Sequence, residues 1–244
     1  MIIKEEMEIN ELKNCKLIQS LISILHDYIS RLQTRKTVSS TTPKEKYAYD
    51  ILLSTTNIID CLEQLHFTIE MLSGYRKRKN TKMNRHDYIV FMIENFYLRI
   101  VSIHDRTLRF TNLIFDIGLP ERECRDATII KNHKVRNTEI GIILKNLNKF
   151  ISDYKETRNK IAHSEGFYDE RLTPVQTYCF LIESDDLHLD KLKRYGHFYK
   201  AVTDRYIKEK QTKLKDIAVQ MEEIIVELLD ASIPIVEYNL SKLK

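Results

Sequence analysis

The chain has 244 residues, 30% of them charged, with only 5 glycines and 4 prolines, a composition that argues against folds built on tight turns and for an all-α protein. A chain of this length removes roughly 70–75% of its unfolded surface from water, so it needs neither disulfides nor a structural metal to hold a core. A net charge of +4 is too small to establish a nucleic-acid partner by itself, and no stretch is apolar for long enough to predict a membrane span.

Leu12, Cys15, Ile18, Ile22, Leu25, Ile29 and Leu32 keep helical spacing and predict a first helix over residues 8–34. The polar stretch 34–42 reads as a loop. Thr42-Pro43-Lys44-Glu45 then opens a second helix, with Thr42 as N-cap, Pro43 in the first turn and Glu45 completing a capping box. Its apolar face runs Tyr47, Ile51, Ile58, Leu62, Leu65, Ile69, Leu72, and Gly74 with a basic run ends it. Asn84, with Asp87 three residues on, marks a third start. The seam that follows, Ile89, Ile93, Phe96, Ile100, Ile103, Thr107, Phe110, Ile114, Ile117, alternates steps of four and three, as in helices packed at shallow angles. Gly118-Leu119-Pro120 is the expected stop.

A short irregular or helical piece over 121–135 leads to Asn137 or Thr138, either of which suits the cap of a helix closed by Gly166. Residues 175–182 read equally well as a short helix or an extended segment. The last helix is expected over 198–243, with Leu214, Ile217, Met221, Ile224 and Leu228 as its stripe and a kink at Pro234. No repeat, low-complexity tract or linker divides the chain, so one domain over 1–244 is expected. Cys15, Cys61, Cys124 and Cys179 are scattered, with no C-x-x-C spacing. That pattern suits reduced thiols in a cytoplasmic protein better than a zinc site. Residues 1–12, rich in Lys and Glu, do not resemble a secretory leader.

Two features carry chemistry. The first lies on the helix before Gly166, where the stripe Ile140, Leu144, Leu147, Ile151, Tyr154, Arg158, Ile161 is interrupted by a permanent cation. A guanidinium on a buried seam is costly unless paired, hydrated or lining a cleft. His163 follows five residues later, a side chain suited to moving protons near neutral pH. The bare spacing is weak, since about one or two such matches are expected by chance, and Arg99 with His104 repeats it. Arg99, however, is followed by apolar Ile100 in mid-helix. Arg158 is followed by polar Asn159, and small Ala162 precedes His163 near a helix end, whose carbonyls favour a nearby cation. Arg158 with His163 is the better site, and Arg99 with His104 reads as structural.

The second feature is the acid-free run Arg76, Lys77, Arg78, Lys79, Lys82, Arg85, which fits either phosphate binding or a solvated loop. Lys131, Lys134 and Arg136 form a weaker cluster. Tyr154, one turn before Arg158, and Tyr168, just after the helix, are candidates for stacking on a base or for ordinary packing.

Arg158-Asn159-Lys160-Ile161-Ala162-His163 resembles the signature of the HEPN superfamily, an arginine and a histidine with four to six residues between them and a polar residue directly after the arginine. A looser resemblance extends over about 45–240, including the stretch from Tyr97 to Asp105 on the long third helix. It implies an all-α, HEPN-like bundle of long antiparallel helices and a homodimer whose two motifs meet in one cleft. Many such proteins are metal-independent endoribonucleases of toxin–antitoxin and phage-defence systems, with no cofactor and with an antitoxin protein as partner. In that reading His163 serves as general base or acid for the ribose 2′-hydroxyl, Arg158 holds the phosphate, and Asn159 orients the histidine or donates to the phosphate. The rival reading is a non-catalytic module that binds nucleotide, RNA or protein, with Arg158 in an internal salt bridge to Asp105 or Glu156. A third is a helical scaffold.

Overall fold

The computed structural model describes residues 12–13, 15–33, 41–77, 82–163, 165–183 and 189–243. Among these residues every regular element is helical: α1 (Lys16–Gln33), α2 (Pro43–Met71), α3 (Arg85–Ile114), α4 (Asp126–Ile129), α5 (Glu139–His163), α6 (Thr173–Glu183) and α7 (Leu189–Lys242), with 3-10 turns at Glu121–Glu123 and Glu170–Leu172. The caps follow the local sequence. Glu45 N–H donates to Thr42 Oγ1 at 3.1 Å while Thr42 N–H donates to Glu45 Oε2 at 2.9 Å, closing the capping box of α2. Asp87 N–H donates to Asn84 Oδ1 at 2.9 Å before α3, and Gly141 N–H donates to Thr138 Oγ1 at 3.1 Å on α5.

The chain divides into two compact units. The first comprises the described residues of Met1–Glu63, Ser102–Ser152 and Met221–Lys244. Its core includes Leu21, Leu25, Ile51, Ile58, Leu62, Phe110, Leu144, Leu147 and Leu228, all buried. Leu21 rather than the expected Ile22 turns inward on α1; Ile22 is exposed. Likewise Ile225 is buried on α7 where Ile224 was expected, and Ile224 is half-buried. In each case two adjacent apolar residues compete for one inward direction, and spacing alone does not rank them.

Helix α3 stops at Ile114, before the predicted Gly118-Leu119-Pro120. The Asn112 side chain donates to Leu119 O and accepts from Leu119 N–H, each at 3.0 Å, and so folds the chain back with Asp116 at φ 44°. Lys134 donates to the carbonyls of Phe115 at 3.1 Å and Asp116 at 2.6 Å. One cation of the weaker basic cluster thus closes the C-terminal end of a helix, where cations are favoured. His104, 1% exposed, has Nε2 2.8 Å from Asp126 Oδ1 and ties α3 to α4.

The second unit comprises the described residues of Gln64–Val101 and Asp153–Gln220. Leu65 and Ile69 of α2 and Leu72 just beyond it are buried in this unit, as are Ile89, Ile93, Phe96 and Ile100 of α3, Val175 of α6 and Leu214 of α7. From Ile89 to Ile114 the predicted seam of α3 is therefore core, because Met92, Tyr97 and Val101 are buried beside it and the covered arc is broad, whereas Ile117 lies beyond the helix and is half-buried. Arg99 donates to the side-chain oxygen of Gln64, a structural partner for the first arginine. Residues 175–182 lie within α6, and α7 begins well before residue 198 and continues through Pro234. The four cysteines form no disulfide, and no helix of the described residues is long and apolar enough to cross a membrane.

Phe96 and Phe91 share α3, but the first is fully buried and the second is 51% exposed. Phe96→Ala is expected to lower unfolding free energy by about 3–5 kcal/mol in urea titration, and Phe91→Ala by about 0.5 kcal/mol or less.

Candidate functional site

Burial along α5 changes abruptly. Ile140, Leu144, Leu147 and Ile151 are buried, whereas Tyr154, Arg158 and Ile161 are half-buried. Arg158 therefore does not sit on a closed seam, which corrects the sequence expectation. A four-three stripe drifts by about 20° per heptad on an ideal helix, hence about 60° from Ile140 to Ile161. On α5, where the covered arc is narrow, that drift carries the stripe toward solvent. Hydration then removes most of the desolvation cost of the guanidinium.

Arg158 Nη1 donates to Asn159 Oδ1 at 3.0 Å, and the guanidinium forms no ion pair with a described residue. Glu156 is engaged instead by Lys160 at 2.8 Å, an exposed pair one helical turn apart that holds the Glu156 carboxyl below its ordinary range through that hydrogen bond and charge. Asn159 is exposed, and its oxygen faces the arginine. His163 is the last residue of α5 and is exposed, with no hydrogen bond to another described residue. The helix stays regular through His163, so Arg158 and His163 leave its axis about 140° apart.

Beyond α5 the chain is held at Gly166 and Phe167. Gly166 has φ +73°, and a Cβ there would lie 3.0 Å from Glu94 Oε1, so both backbone and space call for glycine. Phe167 N–H donates to that same Glu94 oxygen at 2.8 Å. The Phe167 ring stacks on Tyr97 at 6.0 Å, and Tyr97 meets the ring of Tyr154 at 6.3 Å. Tyr154 is thus packed under the motif.

Two residues further on, Asp169 accepts from Arg171 Nε at 3.1 Å and Nη2 at 2.9 Å, from Arg171 N–H at 3.2 Å, and from the Tyr206 hydroxyl at 3.0 Å. Burial alone would raise the Asp169 carboxyl, but these bonds and the Arg171 charge outweigh it and hold it at about 2. Lys210 Nζ lies 3.9 Å from Asp169 Oδ2 and 4.7 Å over the Phe167 ring. Burial brings its ammonium down to about 8 despite the opposing pull of Asp169. Burial, with Asp169 adding to it, pushes the Tyr206 phenol up. Glu94, Asp169, Tyr206 and Lys210 were not singled out in the sequence, because none belongs to a short motif.

Of the basic run, Arg76, Lys77 and Lys82 are exposed, and Arg85 pairs with Asp204 at 2.7 Å. Arg78 and Lys79 lie outside the described residues. The run joins α2 to α3 and is tied at its base: Tyr75 Oη donates to Met83 O at 3.0 Å and Tyr88 Oη to Met71 O at 2.6 Å. Among the described residues no three His, Cys, Asp or Glu side chains converge as a metal site.

Asp169→Ala leaves the buried Tyr206 hydroxyl without its acceptor, so unfolding free energy at neutral pH should fall by about 1–3 kcal/mol. The folded carboxyl ionises at about 2, below the ordinary 3.8, so its stabilisation is complete above about pH 4 and is lost as pH falls through 2. Urea midpoints measured from pH 5 down to 2 should therefore converge for wild type and variant.

A HEPN_Cthe2314-like HEPN family model matches residues 52–224, well over half of the chain. No curated protein and no solved structure matches it. The match covers the basic run, the motif on α5 and the Asp169 junction alike, and the chain belongs to the HEPN superfamily as a HEPN_Cthe2314-like member.

Proposed function

We propose that the protein is a metal-independent endoribonuclease whose active site is composite, formed when two copies bring Arg158, Asn159 and His163 together. One observation carries this reading: a half-exposed guanidinium with no acidic partner among the described residues, held by Asn159, one and a half turns before an exposed histidine that ends α5. A cation already neutralised by a carboxylate has little left for a phosphate, and no described residue neutralises Arg158 in that way.

His163 takes the proton from a ribose 2′-hydroxyl, and the freed oxygen attacks the adjacent phosphorus. The bond to the 5′-oxygen breaks, and that oxygen leaves as a hydroxyl with a proton from solvent, to which the His163 imidazolium returns the proton it took. The products are a 2′,3′-cyclic phosphate and a 5′-hydroxyl. Arg158 donates to the non-bridging oxygens as charge accumulates on them. The angle of about 140° between Arg158 and His163 argues that each arginine works beside the histidine of the other copy. In keeping with its family, we place this activity in a cytoplasmic toxin or phage-defence role, held in check by an antitoxin protein.

Purified protein should cut RNA in EDTA, leaving cyclic-phosphate ends. Arg158→Ala and His163→Ala should each reduce cutting by about 10²-fold or more. Mixing the two inactive variants should restore about a quarter of wild-type activity, because half of the dimers then hold one intact composite site. Wild-type protein that binds RNA and leaves it whole would favour the binding-module reading. Failure of the mixed variants to recover, with subunit exchange verified, would refute the shared site.

A further inference from the structure

Beyond the motif, the second unit holds a cavity of about 630 Å³ between α6 and the early turns of α7. Five aromatic rings line it, those of Tyr168, Tyr178, Tyr195, Phe198 and Tyr199. Tyr178 and Tyr199 stack on each other with ring centroids 4.1 Å apart. The other three rings are unusually open, with Tyr168 at 76%, Phe198 at 64% and Tyr195 at 53% exposure. Exposed rings grouped around one cavity mark a binding surface more often than ordinary solvent-facing chain. Tyr168 also stands only five residues beyond His163, on the segment fixed by Phe167 and Asp169.

The basic run of the same unit points to the cavity's occupant. Arg85, at the start of α3, is joined to Asp204 of α7 at 2.7 Å, five residues after Tyr199. The Arg85 charge and the Tyr75 hydroxyl both act on the Tyr199 hydroxyl, which burial pushes up. Arg85, the last cation of the basic run, is thus tied to α7 within a turn and a half of Tyr199, and the run's described residues Arg76, Lys77 and Lys82 are exposed to solvent. A row of phosphates with flat bases attached matches both the rings and the basic run. The Glu170 carboxylate in the lining repels phosphate, which leaves the cavity to the bases and the run to the backbone.

We propose that the α6–α7 cavity receives an unpaired base of single-stranded RNA, stacked on Tyr195 and Phe198, while Arg76, Lys77 and Lys82 hold the neighbouring phosphates. The proposal rests on the RNA reading above and adds to it a preference for single strands. Duplex RNA keeps its bases stacked inside and offers none to the cavity.

The test uses the full-length protein carrying His163→Ala, so that no probe is cut, and fluorescence anisotropy with three labelled probes: a single-stranded RNA, an abasic ribose-phosphate strand of equal length and a duplex. Adding Tyr195→Ala or Phe198→Ala should weaken single-strand binding by about tenfold and leave the abasic and duplex probes unchanged. Adding Lys82→Ala should weaken all three and flatten the salt dependence. Thermal melting checks that the variants, both at exposed rings, remain folded. Equal single-strand affinity with and without the rings would overturn the proposal. So would a wild-type surface that binds the abasic strand as well as the natural one, or variants that change only the oligomeric state or the capture of a peptide. The two readings fail separately. Ring-dependent binding by a wild-type protein that never cuts refutes the nuclease alone, and cutting with no ring dependence refutes the cavity alone.

Discussion

Asp169 joins two distant stretches of chain, accepting from Arg171 beside it and from the Tyr206 hydroxyl on α7, and the exit of the motif helix is anchored through that carboxylate. Its partners outweigh the burial that opposes ionisation, so the group is a charged hub across the physiological range. Phe167, fixed between Glu94, Tyr97 and Lys210, continues the anchor to α3. His163 itself has no hydrogen bond to another described residue, so its position is inherited from α5. Tyr168 takes its place at the aromatic cavity from the anchored segment between Phe167 and Asp169.

The burial gradient along α5 gives this helix two duties. Up to Ile151 it is core; beyond Tyr154 it is surface that carries the residues of the proposed site. A buried Arg158 would need a carboxylate to be tolerated, and that carboxylate would compete with any phosphate. Half-burial avoids the conflict. The lysine and glutamate around it serve each other instead, and an exposed pair of that kind contributes little to stability.

Much of the fold was legible because its signals are local. The Thr42/Glu45 box, the Asn84 and Thr138 caps and the glycine stop after α5 each lie within a few residues of what they control. The seam of α3 was legible because a broad buried arc forgives periodic drift. The stripe of α5 misled because its covered arc is narrow, and Ile22 and Ile224 misled because Leu21 and Ile225 stand next to them. Asp169 could not have been found by spacing, since Tyr206 and Lys210 lie 37 and 41 residues away along the sequence. The aromatic cavity was hidden for the same reason: Tyr168, Tyr178 and Tyr195 become neighbours only once α6 turns back along α7.

The contact between Arg158 and Asn159 bears on how fast a ligand can be captured. A free arginine side chain samples many rotamers, and a phosphate that meets it must wait for, and then freeze, a suitable one. Here one N–H is already committed to the neighbouring amide, which restrains the fork while the guanidinium's other N–H groups engage no other described residue. Asn159 thus acts as a rest for the cation, and under the proposed function part of the ordering entropy is lost before a phosphate arrives.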